Sequence, residues 1–375
     1  MSIIFRLNLS FVGMMRCINP YIKIYIGKTS INISVKSMEQ RRVMSLGRSS
    51  LVISLPKYWT QLNGLKPGDV VSVVMGRDRS LIVFPGLKEE GEMAKISLHV
   101  EPEDDATLIT RNIIACYLNG YSYVRLISRK FFTVTQQRVI RRISKMLYLQ
   151  IVDADAKEIH LATLEDESKA SVEIGIKRIY KVSSSMYRDA LTALKNHNAT
   201  LAKSVYSLDD EVDHFALFML RLLRKALSSP TLANQLGLDP IDCLDYQIVV
   251  NRIEQIADHA SNIARCVIML EGRKKTISED LIKKMGVAGD MVLSLFDKAF
   301  NAFLSNDVRA SIEIIKNSEA KVNKLCHEIA YLTFLKESDA EVVCACCSVR
   351  DDIKRIADCT VDIAKTAINR SFKSS

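Results

Sequence analysis

The sequence predicts a multidomain protein with a small β-rich head, an α/β middle unit and an all-α body. Three observations predict this organisation. Residues 38–87 read as short β-branched runs separated by turn residues, residues 93–165 alternate strand and helix patterns, and helical periodicity with few breakers continues from about residue 172 to the C-terminus. At 375 residues the chain is long enough for two or three such domains.

Positive charge is concentrated near the N-terminus. Residues 1–90 carry 13 Lys and Arg against 5 Asp and Glu, whereas residues 91–375 carry 39 against 38. A local excess of this kind suits a polyanion such as DNA, or an anionic membrane surface. No apolar run approaches the roughly 20 residues that span a bilayer, so no membrane span is expected. Nine cysteines at irregular spacing predict reduced thiols and a cytoplasmic protein.

Residues 1–37 are treated as an upstream extension and left out of the predicted fold. The segment begins MSIIFRLNLSFVGMMRCINP, which is apolar but interrupted by Arg6 and Arg16. It lacks a clear small-residue cleavage site and makes a poor signal peptide. Met38 opens the first well-patterned segment, so the true start stays open between Met1 and Met38.

Residues 38–87 are predicted to form the head. SLVISLP reads as a strand, and PKYWTQLNG reads as a short helix that begins at Pro56 and ends at Gly64. LKPGD is a tight turn, and VVSVVMG is expected to pair with SLIVFP across GRDR as a hairpin. A core of about 50 residues is marginal alone, so a second copy is expected to close the open strand edges.

The stretch RRVMSLGRSSLVISLPKYW, followed by GLKPGD, resembles the AbrB/SpoVT family of MazE-like swapped-hairpin domains. The resemblance covers about residues 38–85 and implies a homodimeric β-barrel that binds DNA through basic strands and loops. Basic residues cluster before and after the first long strand and are the predicted phosphate contacts: Arg41, Arg42, Arg48 and Lys57. The alternative is that they only keep the dimer soluble.

Residues 93–165 predict the α/β unit. MAKISLHV, YVRLIS, LQIVDA and KEIHLATL read as strands, and EPEDDATLITRNIIACYLNGY and TVTQQRVIRRISKML read as helices. The first of these helices is expected to carry acids in its first turn. The segment contains no Gly-rich phosphate loop, nucleophile elbow or zinc spacing, so no activity is assigned to it.

The helical region is duplicated. The stretch at 186–215 aligns with that at 296–325 at an offset of 110, and RIEQIADHASNIAR recurs at an offset of 100 as DIKRIADCTVDIAK. The difference of ten residues falls in the loop SSPTLANQLGLDP of the first copy. We predict two three-helix units, 172–272 and 276–372, packed as antiparallel bundles.

Two pairs of acids lie one helical turn apart in the first copy. Asp209 and Asp213 share a face of the second helix, and Glu254 and Asp258 share a face of the third. If these helices are neighbours, four carboxylates meet, which is unfavourable unless a proton or a cation intervenes. Oxygen ligands suit hard cations. A solvated acidic groove, or acids paired with Lys or Arg, is the alternative that spacing leaves open.

The pattern E-x-x-x-D-H-A-x-N-I-A at 254–264, preceded by DDEVD at 209–213, resembles the PhoU family. That family consists of two three-helix repeats, binds metal ions through E/D-x-x-x-D pairs on the second and third helices of each repeat, and acts in phosphate homeostasis. The resemblance implies a divalent or trivalent ion, with Fe, Zn, Mg and Mn left open. Its implied ligands are Asp209, Asp213, Glu254 and Asp258.

The second copy departs from this pattern. Its matching positions are Glu319, Asn323, Lys354 and Asp358, so one charge is lost at Asn323 and one is reversed at Lys354. We interpret this as a salt bridge that has replaced a cation. Asp351, seven residues before Asp358, lies on roughly the same face and could restore acidity, so a weaker second site of Glu319, Asp351 and Asp358 stays open.

Together, the two resemblances imply a DNA-binding transcriptional regulator of phosphate uptake and phosphate homeostasis with a metal-binding helical sensor body, and not an enzyme. One alternative is an adaptor without DNA affinity that docks on a phosphate ABC transporter or a signalling partner. A metal-dependent phosphoesterase is a further alternative, although no added general acid–base group or substrate clamp is recognised. The operator, and activation against repression, stay open.

Overall fold

The structure is a computed structural model that describes residues 22–26, 29–33, 39–77, 79–87, 94–163 and 170–373. The chain divides into two compact units, one of residues 1–72 and 85–87 and one of residues 73–84 and 88–375. Met38, the alternative start, lies outside the described residues. Among the described helices, none is both long and apolar enough to cross a bilayer.

The N-terminal region consists of short strands that pair two by two. Strands β1 and β2 pair within the segment that the sequence prediction left out, and β3 and β4 pair around a turn with Gly47 at φ +70°. The predicted hairpin of β5 and β6 is confirmed. The bounds are β1 Ile22–Ile26, β2 Thr29–Ile33, β3 Met44–Leu46, β4 Ser50–Val52, β5 Val71–Met75 and β6 Leu81–Pro85.

A short helix, α1 (Lys57–Leu62), follows β4 as predicted, with Pro56 at its N-cap. Pro is tolerated at this position because its missing N–H is not needed for the hydrogen bonds of the helix. The strand predicted over SLVISLP is shorter than expected, since β4 ends at Val52. In the single chain α1 buries no residue. The described strands do not form a closed barrel, so the swapped-hairpin barrel stays a prediction.

The α/β unit has the predicted order of strands and helices. Its four-stranded sheet has the order β7-β8-β10-β9, with β7 and β8 parallel and the other neighbours antiparallel. The two helices cover a core in which Ile113, Leu126 and Leu161 are fully buried. The bounds are β7 Lys95–Val100, α2 Ala106–Leu118, β8 Tyr123–Ser128, α3 Val134–Met146, β9 Gln150–Ala154 and β10 Glu158–Ala162.

One detail of the predicted α/β unit is wrong. Helix α2 begins at Ala106, so the acids of EPEDD precede the helix and its first turn contains none. Asp105 is instead the N-cap, and its Oδ1 accepts a hydrogen bond of 2.8 Å from the amide of Leu108. Capping competes with the helical conformation for a short acidic side chain, which explains the later start.

Residues 172–371 are mainly helical and contain the duplication. The elements of the first copy are α4 Val172–Lys195, α5 Ala199–Ser207, α6 Asp209–Ser228, α7 Pro230–Leu236 and α8 Pro240–Gly272. Those of the second copy are α9 Glu279–Ser305, α10 Val308–Asn317, a π-helical turn Ser318–Val322, α11 Asn323–Lys336 and α12 Ala340–Ser371. One continuous core joins both copies, with Ile253 and Ile353 among its fully buried members.

Two predicted features of this body need correction. The middle helix of each repeat is interrupted, at Leu208 in the first copy and by the π-helical turn in the second. The SSPTLANQLGLDP segment, predicted as a loop, contains α7. Ser229 caps α7, Pro230 occupies its first turn, and Gly237 ends it at φ +70°, so the start and stop residues of a short helix were present.

A buried arginine fastens the α/β unit to the first repeat. Arg221 of α6 is 1% exposed and its guanidinium donates to the carbonyl oxygens of Tyr117, Gly120 and Tyr121 at the C-terminal end of α2. The last carbonyls of a helix have no partner within the helix, and they lie at the negative end of its dipole. Arg224 adds a hydrogen bond of 3.1 Å to the Leu118 carbonyl.

We expect Arg221→Met to lower the free energy of unfolding by roughly 2–4 kcal/mol, because it leaves several buried carbonyls without donors. Urea denaturation followed by circular dichroism would measure the loss. The matched control is Arg138→Met on α3, where the arginine is exposed. Equal stability of the two variants would contradict the anchoring role of Arg221.

Candidate metal centre

Two helices of the first repeat position the acids that the sequence singled out. Helix α6 begins at Asp209, and its first turn carries acids where the positive end of the helix dipole favours them. Asp213 follows one turn later. Helix α8 packs against α6 and carries Glu254 and Asp258 one turn apart. The structure therefore brings residues from both predicted pairs to the same place.

Three of the four carboxylates form a compact group. Asp213, Glu254 and Asp258 each offer one oxygen atom, and these atoms lie within 4.8 Å of one another. Asp209 is the fourth carboxylate of this region, and burial followed by the charge of Asp258 raises its pKa. One carboxylate oxygen of Asp209 is buried with no hydrogen-bond partner among the described residues. We refer to these four residues as the acidic cluster.

Burial, and after it the repulsion between carboxylates, raises the pKa values within the acidic cluster. Burial, followed by the charges of Asp258, Asp213 and Asp209, raises the pKa of Glu254 to about 7. Burial and the charges of Asp209 and Asp258 raise the pKa of Asp213 to about 6. Burial also raises the pKa of Asp258. Desolvation and like charges both disfavour the ionised carboxylates, so the cluster gains from either a proton or a cation.

The donor set of the acidic cluster fits a hard cation. It offers only carboxylate oxygens, the ligands typical of Mg, Mn or Ca, and carboxylates also bind Fe and Zn. Among the described residues no ion pair joins a Lys or Arg to these four acids. Arg265 lowers the pKa of Asp258 from nearby, but its guanidinium donates to Asn262. The alternative in which basic side chains neutralise the acids therefore lacks support in this part of the chain.

The equivalent place in the second repeat is organised by a lysine. Lys354 Nζ donates to Asn323 Oδ1 at 2.7 Å and lies 3.7 Å from Asp358 Oδ1. Glu319 is exposed on the π-helical turn. Asp351, the residue expected to restore acidity, is exposed and forms an ion pair of 2.6 Å with Arg350. Among the described residues, only the first repeat assembles three potential ligands.

A buried carboxylate that the sequence interpretation missed lies next to Asp351. Asp352 is 7% exposed, and its Oδ1 is 2.8 Å from His259 Nδ1 and 3.5 Å from Asn262 Nδ2. His259 thus has a hydrogen-bond partner in the other repeat. The periodicity of α12 held the signal, because position 352 falls on the buried stripe with Val349 and Ile356.

The predicted DNA contacts lie on the surface of the N-terminal region. Arg42, Arg48 and Lys57 are exposed. Arg41 is also on the surface, where its Nη2 lies 2.5 Å from Glu39 Oε1. Three of the four predicted basic residues are therefore not engaged in an ion pair within the described part of the chain.

Two solved structures are similar to about half of this chain. The crystal structure of PhoU from Pseudomonas aeruginosa is 18% identical, with a TM-score of 0.46, and covers 52% of this chain and 93% of its own. The phosphate transport system regulatory protein PhoU from Streptococcus pneumoniae is 15% identical, with a TM-score of 0.45, and covers 52% of this chain and 91% of its own.

Sequence comparison is more informative about the helical body. The model of the PhoU domain family matches residues 176–267 and 286–367, one segment in each repeat. A phosphate-specific transport system accessory protein PhoU homolog from Clostridium acetobutylicum is 22% identical over 226 residues, which cover 58% of this chain and 93% of that protein. The chain is thus similar to PhoU domains in both repeats of its helical body.

Proposed function

We propose that this protein is a metal-dependent regulator of phosphate uptake that acts on DNA. The acidic cluster in the first repeat is the observation that carries the proposal. Support also comes from the PhoU domain matches and from the relative whose name assigns it to a phosphate-specific transport system. The basic N-terminal region suits a DNA partner. Such a regulator would work in the cytoplasm.

The metal would be held by Asp213, Glu254 and Asp258, with Asp209 beside them. Bound there, a di- or trivalent ion would supply positive charge that offsets the repulsion among the carboxylates. The acids come from α6 and α8, so their joint ligation would cross-link two helices of the first repeat. In the second repeat the ammonium group of Lys354 would take the place of the ion.

The head would bind DNA as a homodimer. Apolar side chains are exposed in the single chain, with Leu62 81% and Leu51 74% accessible, and α1 buries nothing. A second copy would cover such side chains and close the strand edges. Exposed basic residues would then contact phosphates along the duplex: Arg41, Arg42, Arg48 and Lys57.

An adaptor role is the second candidate, and one surface of the helical body favours it. Tyr331, Phe334 and Leu335 lie at i, i+3 and i+4 on α11 and are 68%, 71% and 61% exposed. An exposed apolar stripe of this kind is typical of a protein-docking surface. It would suit a transporter or a signalling partner. Co-purification with such a partner, together with no measurable DNA affinity, would favour this candidate.

Removal of charge from the acidic cluster should weaken metal binding. We expect Glu254→Gln/Asp258→Asn to weaken the affinity for Mn²⁺ at least about tenfold, because each amide keeps the shape of the side chain but loses the ligand charge. Isothermal titration calorimetry of metal-stripped protein measures the affinity, and elemental analysis measures the metal content of the protein as purified. Asp358→Asn, the equivalent change in the second repeat, is the matched control and should bind as the wild type does.

A gain of metal is expected from Lys354→Glu, which restores the acid found at the equivalent position of the first repeat. The substitution removes the internal cation and leaves a carboxylate near Asp358. Elemental analysis should then report more metal per chain than in the wild type. Unchanged metal content in both this variant and Glu254→Gln/Asp258→Asn would refute the interpretation that the first repeat holds a metal and that Lys354 replaces it in the second.

The stability of the metal-free protein should fall as the pH rises through about 4 to 7. Folding raises the pKa of Asp213 to about 6 and that of Glu254 to about 7, so the folded state binds more protons than the unfolded state in this window. We expect EDTA-treated protein to melt at a lower temperature at about pH 7.5 than at about pH 5. Glu254→Gln should reduce the difference, and a difference as large as in the wild type would count against the cluster as its source.

DNA affinity should depend on the basic residues of the head. We expect Arg41→Ala/Arg42→Ala/Arg48→Ala to weaken binding at low salt at least about tenfold and to flatten its salt dependence, because fewer phosphate counterions are released. Fluorescence anisotropy with duplex DNA measures both quantities. The triple variant Arg138→Ala/Arg141→Ala/Arg142→Ala, on the exposed face of α3, is the control of equal charge. Equal affinity of the first variant and the wild type would contradict the proposal that the head contacts DNA.

A further inference from the structure

A cleft of about 500 Å³ lies against the acidic cluster, and residues of α2, α3, α6 and α8 line it. Helix α2 of the α/β unit contributes Thr107, Thr110 and Arg111. On the other side, α6 and α8 contribute Asp213 and Glu254. The same cleft therefore contains two members of the acidic cluster and a set of hydrogen-bond donors from a different part of the fold.

We infer that this cleft binds a tetrahedral oxyanion, either inorganic phosphate or the phosphate group of a larger molecule, between Arg111 and a metal held by the acidic cluster. This inference rests on the metal binding proposed above. It adds the ligand and assigns a role to the α/β unit, for which the sequence indicated none.

The donors on α2 suit a phosphate group. The guanidinium of Arg111 is exposed and has no ion pair among the described residues, although acids line the same cleft. Arginine offers several N–H donors in a planar fork, which matches two oxygens of one phosphate. The hydroxyl groups of Thr107 and Thr110 lie on the same wall and can donate to the remaining oxygens.

Charge makes this binding conditional on the metal. Without an ion, the carboxylates of the acidic cluster outnumber the single arginine, and an anion in the cleft would be repelled. A di- or trivalent ion held by those carboxylates reverses this balance, and Arg111 adds a further positive charge from the opposite wall. The side chains of the cleft therefore select for an anion only when the acids are neutralised.

The size and lining of the cleft leave both sources of the phosphate group open. Apolar side chains such as Leu217 and Leu220 complete the lining. Sites of about 300–1,000 Å³ generally accept ligands larger than a single phosphate ion. A nucleoside monophosphate would place its phosphate at the polar end and its base against the apolar lining, whereas inorganic phosphate would use the polar end alone.

The anchoring of α2 gives the ligand a structural consequence. The C-terminal end of α2 is held by Arg221, whereas Arg111 and the threonines lie in its first two turns. A phosphate shared by Arg111 and the acidic cluster would hold the other end of α2 against the same repeat. Ligand binding would therefore tighten the contact between the α/β unit and α6 along the whole length of α2.

Isothermal titration calorimetry on the full chain tests the inference. Mn²⁺ alone is titrated first, and then phosphate or adenosine monophosphate is titrated into Mn²⁺-loaded protein and into EDTA-treated protein. We expect binding of the anion to the loaded protein only. Arg111→Gln should weaken that binding about tenfold to a hundredfold, the effect of losing charge-assisted hydrogen bonds, while Mn²⁺ alone binds as in the wild type. Arg138→Gln, an exposed arginine outside the cleft, is the control and should behave as the wild type.

The outcomes separate this inference from the function on which it rests. Tight binding of Mn²⁺ with no anion binding, or anion binding unaffected by Arg111→Gln, would overturn the inference and leave the metal site intact. Absence of Mn²⁺ binding would contradict both the inference and the proposed metal site. Tighter binding of the nucleotide than of phosphate would identify the larger ligand, and equal affinity would identify the phosphate group alone as the recognised part.

Discussion

The antiparallel contact between α8 and α12 is the constraint on which the helical body depends. Arg252 of α8 lies 2.8 Å from Asp362, whereas His259, further along α8, meets Asp352, which comes earlier on α12. Asn262 also reaches Asp352, at 3.5 Å. Positions 252 and 262 correspond to 352 and 362 in the duplication, so the contact relates the two repeats by an approximate two-fold axis. Each repeat thereby buries the apolar face of the other's longest helix.

The duplication places similar helices around two equivalent positions, but the charges at these positions differ. In the first, Glu254 joins two aspartates and burial raises its pKa. In the second, Lys354 occupies the equivalent position and bonds Asn323. An ammonium group within the protein offsets the remaining negative charge there, whereas the first framework needs a proton or a cation from outside. The two places therefore differ through a few side chains rather than through a different fold.

The α/β unit extends this asymmetry, because in the described part of the chain its helices α2 and α3 pack against α6 of the first repeat. Arg221 and Arg224 donate to the end of α2, and the positions that correspond to them in the second repeat are Tyr331 and Phe334. Aromatic side chains lack the fork of donors that the carbonyl groups of a helix end require. The cleft with Arg111 consequently forms beside the repeat that keeps its carboxylates. The contacts of Arg221 and Arg224 therefore hold the donors of α2 beside the acidic cluster.

The sequence by itself determined the order of strands and helices in the α/β unit, the duplication, and the acids one turn apart, because all of these are periodicities along the chain. It did not reveal the burial of Arg221, whose acceptors lie about a hundred residues earlier. Nor could it show that Asp213 and Glu254 meet, or that Arg111 lies across from them. These are distances between faces of α2, α6 and α8, and packing between distant segments, rather than any local pattern, decides which faces meet.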